Sequence, residues 1–372
     1  MIGALAPGNL RGAMKAHEDT PPGTTRQTTA SSPVSSAISV VMPILNEETH
    51  LAESVAAVLA QEVDGDIEVV LAVGPSQDQT MEVAQRLAAA DPRVTVIANP
   101  SGRTPDALNA ALGVARHPVI ARVDGHGILS PRYLQTALET LAQTGAANVG
   151  GIMDAVGVTA FEKAVALAMK SPVGVGGARF KLGGEAGESE TVYLGVFRRE
   201  WLERVGGYDS RFTRAQDWEM NFRIRQQGGV VWFTPDLKVE YRPRGSFRAL
   251  ARQYLEYGRW RRVVARQHSG SINLRYLAPP AATAAIAAGA VGGLWWRPLW
   301  VIPGGYLSAI TLAGAVISRG APAPVAVRVA PVLATMHLTW GYGFLTSRIN
   351  LADDVSTDTP QAPLPDPTGP IT

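Results

Sequence analysis

The chain reads as an α/β protein: a mostly parallel sheet with crossover helices, followed by C-terminal transmembrane helices. Short apolar runs alternate with amphipathic stretches of about ten residues from Ile38 to Val123, the pattern of strands joined by crossover helices. After Gly270 the composition changes, and charge drops out of three successive runs. Neither G-x-G-x-x-G after the first strand nor G-x-x-x-x-G-K-[ST] anywhere is present, which disfavours dinucleotide-dependent dehydrogenases and P-loop NTPases.

Ile38-Ser39-Val40-Val41-Met42-Pro43 reads as a buried strand closed by its proline. Leu51, Val55, Val58 and Leu59 form one apolar helical stripe. Strands are expected over 67–73, 93–98 and 119–123, and helices over 81–90 and 106–115. In such sheets ligands bind beyond the carboxyl ends of the strands, so the loops after Val41, Val73 and Val123 are the places to look. Gly174-Val175-Gly176-Gly177 is framed by no strand-to-helix pattern and reads as a flexible loop.

The three uncharged runs, Leu277 to Trp296, Leu299 to Ser318 and Val329 to Thr346, are about long enough to cross a hydrocarbon core of roughly 30 Å. Trp295, Trp296 and Trp300 cluster as interface aromatics do. Upstream, nine arginines and one acid, Glu256, lie between Arg242 and Arg275. Arg248, Arg252, Arg259, Arg262 and Arg266 share one helical face, with Phe247, Leu250, Tyr254, Tyr257 and Val264 on another, as in a helix lying in a membrane interface. Such a stripe attracts anionic lipid and keeps its side in the cytoplasm. The chain of 372 residues then divides into a disordered extension (1–36), a catalytic domain (37–240), a basic juxtamembrane segment (241–276), about three spans (277–347) and a flexible tail (348–372). A formal net charge of +2, with apolar spans beside the basic stripe, makes nucleic acid an unneeded partner.

The absence of cysteine excludes disulfides, thiolate zinc sites and cysteine nucleophiles, so a bound metal must rest on Asp, Glu or His. That favours magnesium or manganese. Asp124 and His126, two residues apart after the fourth strand, can bind one divalent ion, and the ion can hold a diphosphate. Gln216-Asp217-Trp218-Glu219 opens an apparent helix that Gly228-Gly229 ends. Asp217 falls in its first turn, where the helix dipole favours the ionised form, and an ionised Asp near a sugar hydroxyl can act as general base.

Taken together these segments resemble the family-2 inverting glycosyltransferases. Val41-Met42-Pro43-Ile44-Leu45-Asn46-Glu47-Glu48 is similar to the family's opening strand and loop, and Ser76-Gln77-Asp78-Gln79-Thr80 to its Ser-x-Asp-x-Thr segment. Gly102-Arg103 with Asn109 resembles its donor-side loop and helix, and Asp124-Gly125-His126 its Asp-x-Asp metal motif. Gly206-Gly207-Tyr208-Asp209 and Gln216-Asp217 resemble its acceptor-side elements. Gln253-Tyr254, Tyr257-Gly258-Arg259-Trp260-Arg261 and Leu277-Ala278-Pro279-Pro280 narrow the likeness to the succinoglycan-biosynthesis branch, which builds exopolysaccharide repeat units.

The resemblance implies a nucleotide-sugar transferase A-type fold and a metal-dependent hexosyltransferase that inverts the anomeric centre; the Gln253 to Trp260 segment lacks the tight spacing of processive polysaccharide synthases, which argues for addition of a single sugar. Asp217 would be the base. Pro43, Asn46, Glu47, Asp78, Arg103, Asn109 and Asp124 would bind the nucleotide-diphosphate-sugar donor. Asp124 and His126 would hold manganese or magnesium. Gln216, Glu219, Gln253, Arg259 and Trp260 would contact or position a lipid-linked or saccharide acceptor. The enzyme would be a multi-pass protein of the cell membrane, in contact with membrane lipids, its catalytic domain on the cytoplasmic side. Three departures from the pattern bear on specificity: His126 replaces an Asp, Gln216 replaces a Glu, and Gly74 stands where the family often has an Asp against the nucleobase. The rival readings are a polyprenyl-phosphate sugar synthase, which needs no strong base, and an inactive nucleotide-sugar-binding scaffold.

Overall fold

The computed structural model describes residues 36–353; the extension expected over 1–36, but for Ser36, lies outside them, as does the tail beyond Asp353. The first half follows the periodicity. Strand β1 (Ile38–Ile44), helix α1 (Leu51–Leu59), β2 (Ile67–Val73), α2 (Thr80–Ala90), β3 (Val94–Ala98), α3 (Thr104–Val114) and β4 (Val119–Arg122) succeed one another. They pair in parallel in the order β3-β2-β1-β4. Side chains alternate across each strand, so one core takes Val40, Met42 and Ile44 against Leu51, Val55 and Val58 of α1. The opposite core takes Val41, Val70 and Ala72 against Leu108 and Leu112 of α3. Cover on both faces explains why these strands read as unbroken apolar runs. Pro43 does not close β1, which continues through Ile44; pairing with β4 ends at Val41, so the missing N–H costs that ladder nothing.

Beyond residue 123 the sheet is mixed, where the sequence suggests it is mostly parallel. The elements are β5 (Ile128–Leu129), α4 (Tyr133–Thr144), β6 (Asn148–Ala155), α5 (Ala160–Met169), α6 (Pro172–Val175), α7 (Arg179–Leu182), β7 (Gly187–Glu188), β8 (Tyr193–Arg198), α8 (Arg199–Arg204), α9 (Gln216–Gln226) and β9 (Val231–Tyr241). Strand β8 runs antiparallel to both β4 and β6, β6 runs parallel to β9, and β5 and β7 pair antiparallel with β9. Strands such as Asn148-Val149-Gly150-Gly151 carry no apolar run and leave little periodic signal. The glycines at 174–177 are not a free loop: Ser171 Oγ caps the turn at Gly174, and a side chain on Gly174 would overlap the Ala168 carbonyl.

Four helices close the structure: α10 (Phe247–Gln267), α11 (Ala278–Gly292), α12 (Val301–Ile317) and α13 (Ala323–Leu345). The basic helix is therefore real, but Leu250, Tyr254 and Val264 of its apolar face are spent inside the protein, while Phe247 and Tyr257 stay exposed. Leu250 and Tyr254 share a core with Ala164 and Val165 of α5 and with Val329, Val332 and Leu333 of α13. Helices α10 and α13 cross at glycines: a side chain on Gly258 would overlap the Trp340 carbonyl, and one on Gly343 that of Leu255. Thus α13 belongs to the same packed body as the sheet. Among the described residues one segment, Arg297–Ile317, is long and apolar enough to cross a membrane, with mean hydropathy 1.6. The chain stays docked past residue 347, where Ala352 packs beside Phe212, Trp260 and Val264.

Candidate active site

The site lies at the carboxyl ends of β1, β2 and β4. Two loops are laced together there. Asn46 N donates to Ser76 Oγ (3.0 Å), Gln77 N to Asn46 Oδ1 (2.8 Å), Glu47 N to Thr80 Oγ1 (2.8 Å) and Glu48 N to Asp78 Oδ2 (3.3 Å). Asn46 adopts a left-handed backbone (φ 55), which Asn tolerates better than most side chains. The lacing fixes Glu47 beneath the turn that follows β4. Gly125 makes room for it, since a Cβ there would come within 2.9 Å of Glu47 Cγ and Ile44 Cδ1. The turn itself is pinned by Ser54 of α1, whose hydroxyl donates to Gly127 O (2.8 Å).

On this turn His126 Nδ1 lies 2.7 Å from Glu47 Oε1. That hydrogen bond pushes the imidazole pKa up, against the effect of burial and together with the charges of Glu47 and Asp124. An imidazole held at one nitrogen by a carboxylate presents the other nitrogen outward, the usual arrangement of a metal-ligating histidine. Asp124 lies beside it. Among the described residues no group of three or more His, Asp or Glu is disposed to hold an ion alone. A two-residue set fits magnesium or manganese, which takes oxygens from substrate phosphates and water as well.

The feature that organises the site is Arg122, the last residue of β4 and only 6 % exposed. Its Nη2 donates to Asp124 Oδ1 at 2.9 Å and its Nε to the same oxygen at 3.2 Å, while Nη1 donates to Asp217. One guanidinium thus brings together carboxylates 93 residues apart in sequence. Burial lowers its proton affinity, but the Asp124 and Asp217 charges reverse this and hold it well above the ordinary value. Asp217 enters from the first turn of α9, after Ala215 in a left-handed conformation. Its carboxyl is pushed above the usual range by burial in the cleft, against the Arg122 charge and with help from Asp124. The side chain remains 35 % exposed, so it is buried by the walls of a cleft whose mouth stays open.

Sequence reasoning missed Arg122, although a charge inside Val119-Ile120-Ala121-Arg122-Val123 is the one signal that could have found it. The structure brings Glu47 to His126, and Asp124 and Asp217 to Arg122. Other expected site residues are committed elsewhere. Asn109 spends its amide on Tyr208, donating to the carbonyl (2.7 Å) and accepting from the N–H (2.8 Å), so it braces α3 against the 206–209 loop. Asp78 accepts from Thr80 and Glu48 within the laced loops, and Arg103 pairs with Asp106 (2.7 Å). Glu219, 1 % exposed, pairs with Arg223 (2.6 Å) inside the protein and cannot meet an acceptor. Trp260 packs beside Phe212 in the core, and Arg259 pairs with Glu256 (2.8 Å). Gln216 is buried at the start of α9. Gln253 donates to Tyr241 OH (2.9 Å), and the Tyr241 ring meets that of Tyr193 edge-on.

Acidic groups gathered beyond the carboxyl ends of the parallel strands stand where open α/β sheets bind their ligands. Residues 39–206 match the family described as Glycosyl transferase family 2. The chain is 33% identical over 310 residues to the succinoglycan biosynthesis protein ExoA of Rhizobium meliloti, covering 82% of this chain and 93% of that protein. It belongs to glycosyltransferase family 2. A more distant relative is a dolichyl N-acetyl-glucosaminyl phosphate diacetamido-dideoxy-glucuronosyltransferase of Methanococcus voltae, 22% identical, covering 65% of this chain and 77% of that one. Among solved structures, the mannosyltransferase PcManGT from Pyrobaculum calidifontis, in complex with GDP-Man and Mn2+, shares the fold with a TM-score of 0.55. It is 21% identical, with 83% of this chain and 87% of that chain covered.

Proposed function

We propose that this family-2 glycosyltransferase is a membrane-anchored, metal-dependent, inverting hexosyltransferase that adds one sugar to an acceptor hydroxyl. The observation that carries the reading is the Arg122 bridge, which holds a candidate base, Asp217, beside a candidate diphosphate site, Asp124 with His126. A divalent cation at Asp124 and His126 would supply charge neutralisation for the donor diphosphate. Asn46 and Glu47 would frame the donor from the laced loops. Asp217 takes the acceptor hydroxyl proton as that oxygen bonds to the anomeric carbon; the bond from this carbon to the diphosphate oxygen breaks, and nucleoside diphosphate leaves. The raised carboxyl of Asp217 suits a base better than an ordinary Asp, because proton affinity drives the transfer.

Support for the anchor is physical. The segment Arg297–Ile317 is only 17% buried. Leu294, Trp295, Val301, Leu307 and Leu312 stand exposed in and beside it, the kind of apolar surface that marks a membrane or partner contact. The exposed Arg248, Arg252 and Arg266 of α10 would sit at anionic headgroups on the cytoplasmic side. Helix α11, with 15 residues, is about 22 Å long, short of a full crossing, and α13 is half spent on α10. One crossing helix with flanking interfacial helices is therefore the arrangement these helices favour over three spans.

The test is a panel of nucleotide sugars given to the full-length protein, with nucleoside diphosphate release measured in membrane lipid extract, with and without chelator. One donor should be turned over in a chelator-sensitive manner. No release from any donor would sink the enzyme reading, and full activity in excess chelator would remove the metal. Protein in membranes should also resist a wash at about 1 M salt, where the screening length is about 3 Å.

A further inference from the structure

Lys181 is one of only five lysines in the chain, and its ammonium stands among rings. It belongs to α7, which Gly176 (φ 62) and Gly183 (φ 80) bracket in conformations that side chains rarely adopt. Its Nζ lies 5.7 Å from the ring centroid of Phe180, 5.8 Å from that of Tyr257 and 6.0 Å from that of Tyr254. At such distances the ring faces attract a cation. No carboxylate pairs with it among the described residues. The neighbouring charges are committed elsewhere: Asp154 of β6 pairs with Lys170 (2.5 Å), and Arg179 donates to the Glu188 carbonyl (3.2 Å). Burial alone therefore pulls the ammonium down to about 8.

The rings lead from Lys181 to the catalytic groups. Tyr257 meets Tyr254 edge-on at 5.5 Å. Gln253, on the same helix, holds the Tyr241 hydroxyl, and the Tyr241 and Tyr193 rings meet at 6.5 Å. Pairing of Ile128 with Glu240 sets the end of β9 beside the turn that carries Asp124 and His126. Burial pushes the Tyr257 and Tyr193 hydroxyls up, and the Asp124 charge adds to this in both; at Tyr257 the charges of Arg214 and Arg244 oppose it. These tyrosines therefore wall the cleft that holds Asp124 and Asp217. Tyr257 is 38 % exposed and Lys181 is half-buried, so both are open to a ligand in that cleft.

We propose that Lys181 is an acceptor-binding residue: its ammonium donates to hydroxyls of the acceptor's sugar ring, which packs on the exposed face of Tyr257. The word "acceptor" rests on the transferase reading; the sugar rests on the chemistry of the wall. A pyranose presents C–H groups that pack on aromatic faces and a rim of hydroxyl oxygens that accept. An ammonium carries three donors and no acceptor, and this one has no acid to spend them on. A phosphate at the same place would meet a single ammonium framed by three rings, a poorer match than the paired guanidinium donors that grip phosphate oxygens.

Competitive acetylation of the full chain tests this, in a detergent without a sugar headgroup, with the extent at each lysine read by mass spectrometry. The exposed Lys163, Lys170 and Lys238 are internal controls. The probes are a panel of methyl hexopyranosides and inorganic phosphate. At least one pyranoside should slow acetylation of Lys181 severalfold and leave the controls unchanged. No protection by any pyranoside, or protection by phosphate alone, would overturn the proposal, and because wild-type protein is used no variant has to fold. Kinetics give the second arm, with membrane lipid extract as the source of acceptor. Lys181→Met should raise the half-saturating amount of extract about tenfold or more, the scale of a lost hydrogen bond to a charged group, and by more than it lowers the maximal rate. In wild type that amount should also rise as pH passes through about 8, since the amine is charged below and neutral above; Lys181→Met should lack the rise. A half-saturating amount that does not move in the variant would overturn the proposal. The two readings fail separately. A wild type whose Lys181 is protected by a pyranoside, but which releases no nucleoside diphosphate from any donor, loses the transferase reading and keeps the sugar site.

Discussion

Replacing Asp217 by Asn removes the proton acceptor and little else. The amide is isosteric, and its carbonyl oxygen can still accept from Arg122 Nη1, while Asp124 keeps its own two bonds to that guanidinium. Turnover should fall at least about a hundredfold, the usual scale for a lost general base. That is about 2.7 kcal/mol in the barrier. Stability should move the other way. The Asp217 carboxyl is raised in the folded protein, so the folded state holds its proton more tightly than the unfolded chain does. Between the ordinary carboxyl value and the raised one, stability therefore grows as pH falls; above the raised value the ionised group is a standing cost. The neutral Asn variant should melt no lower than wild type at neutral pH. The same sign puts the acid limb of the wild-type rate profile above the ordinary Asp range. The assay is nucleoside diphosphate release at saturating donor, with donor affinity and melting temperature measured on the same preparation. Turnover within about fivefold of wild type, with donor affinity unchanged, would refute the role.

Gly125→Ala should drive Glu47 away from His126, because the added Cβ meets Glu47 Cγ at 2.9 Å. Loss of such an outer partner typically weakens metal binding 10- to 100-fold, which a divalent-ion titration of donor binding reads directly. His126→Asp should retain activity and shift the preferred ion from manganese toward magnesium, and an unchanged preference would free the imidazole from that role. Gly258→Val forces α10 off the Trp340 carbonyl of α13. Overpacking of this kind costs about 1–3 kcal/mol, so the variant should melt several degrees lower; an unchanged melting temperature would mean that the two helices do not cross there.

The parallel half of the sheet was legible because strands covered on both faces write themselves as apolar runs, and β1, β2 and β4 appeared within a residue or two of their bounds. The antiparallel half was not, because β6 and β8 carry glycines and polar residues and take their places from tertiary pairing. Asp124, His126, Glu47 and Asp217 were visible as chemistry at strand and helix ends. What joins them was not, since Arg122 reads as an isolated charge until β4 and α9 meet. Asn109, Glu219 and Trp260 misled for the converse reason. A polar or aromatic residue in a family motif can serve the scaffold, and only the partners of Asn109 on Tyr208, Glu219 on Arg223 and Trp260 on Phe212 reveal it. The apolar C-terminal helices posed the same ambiguity: α12 is mostly exposed and gives only Ile310, with Tyr306, Ala313 and Ile317 beside it, to the shared core, whereas α13 gives a whole face to it.

The proposed mechanism, with Asp217 as base and the donor diphosphate at Asp124, is a single displacement, and a single displacement inverts the anomeric centre. The direct measurement is the proton NMR coupling constant at the anomeric position of the first-formed product, with an α-linked nucleotide sugar as donor. The expected product is β-linked. An α-linked product formed from that donor would contradict the account, because it requires either two displacements or a departure and return on the same face, and neither needs Asp217 where it stands.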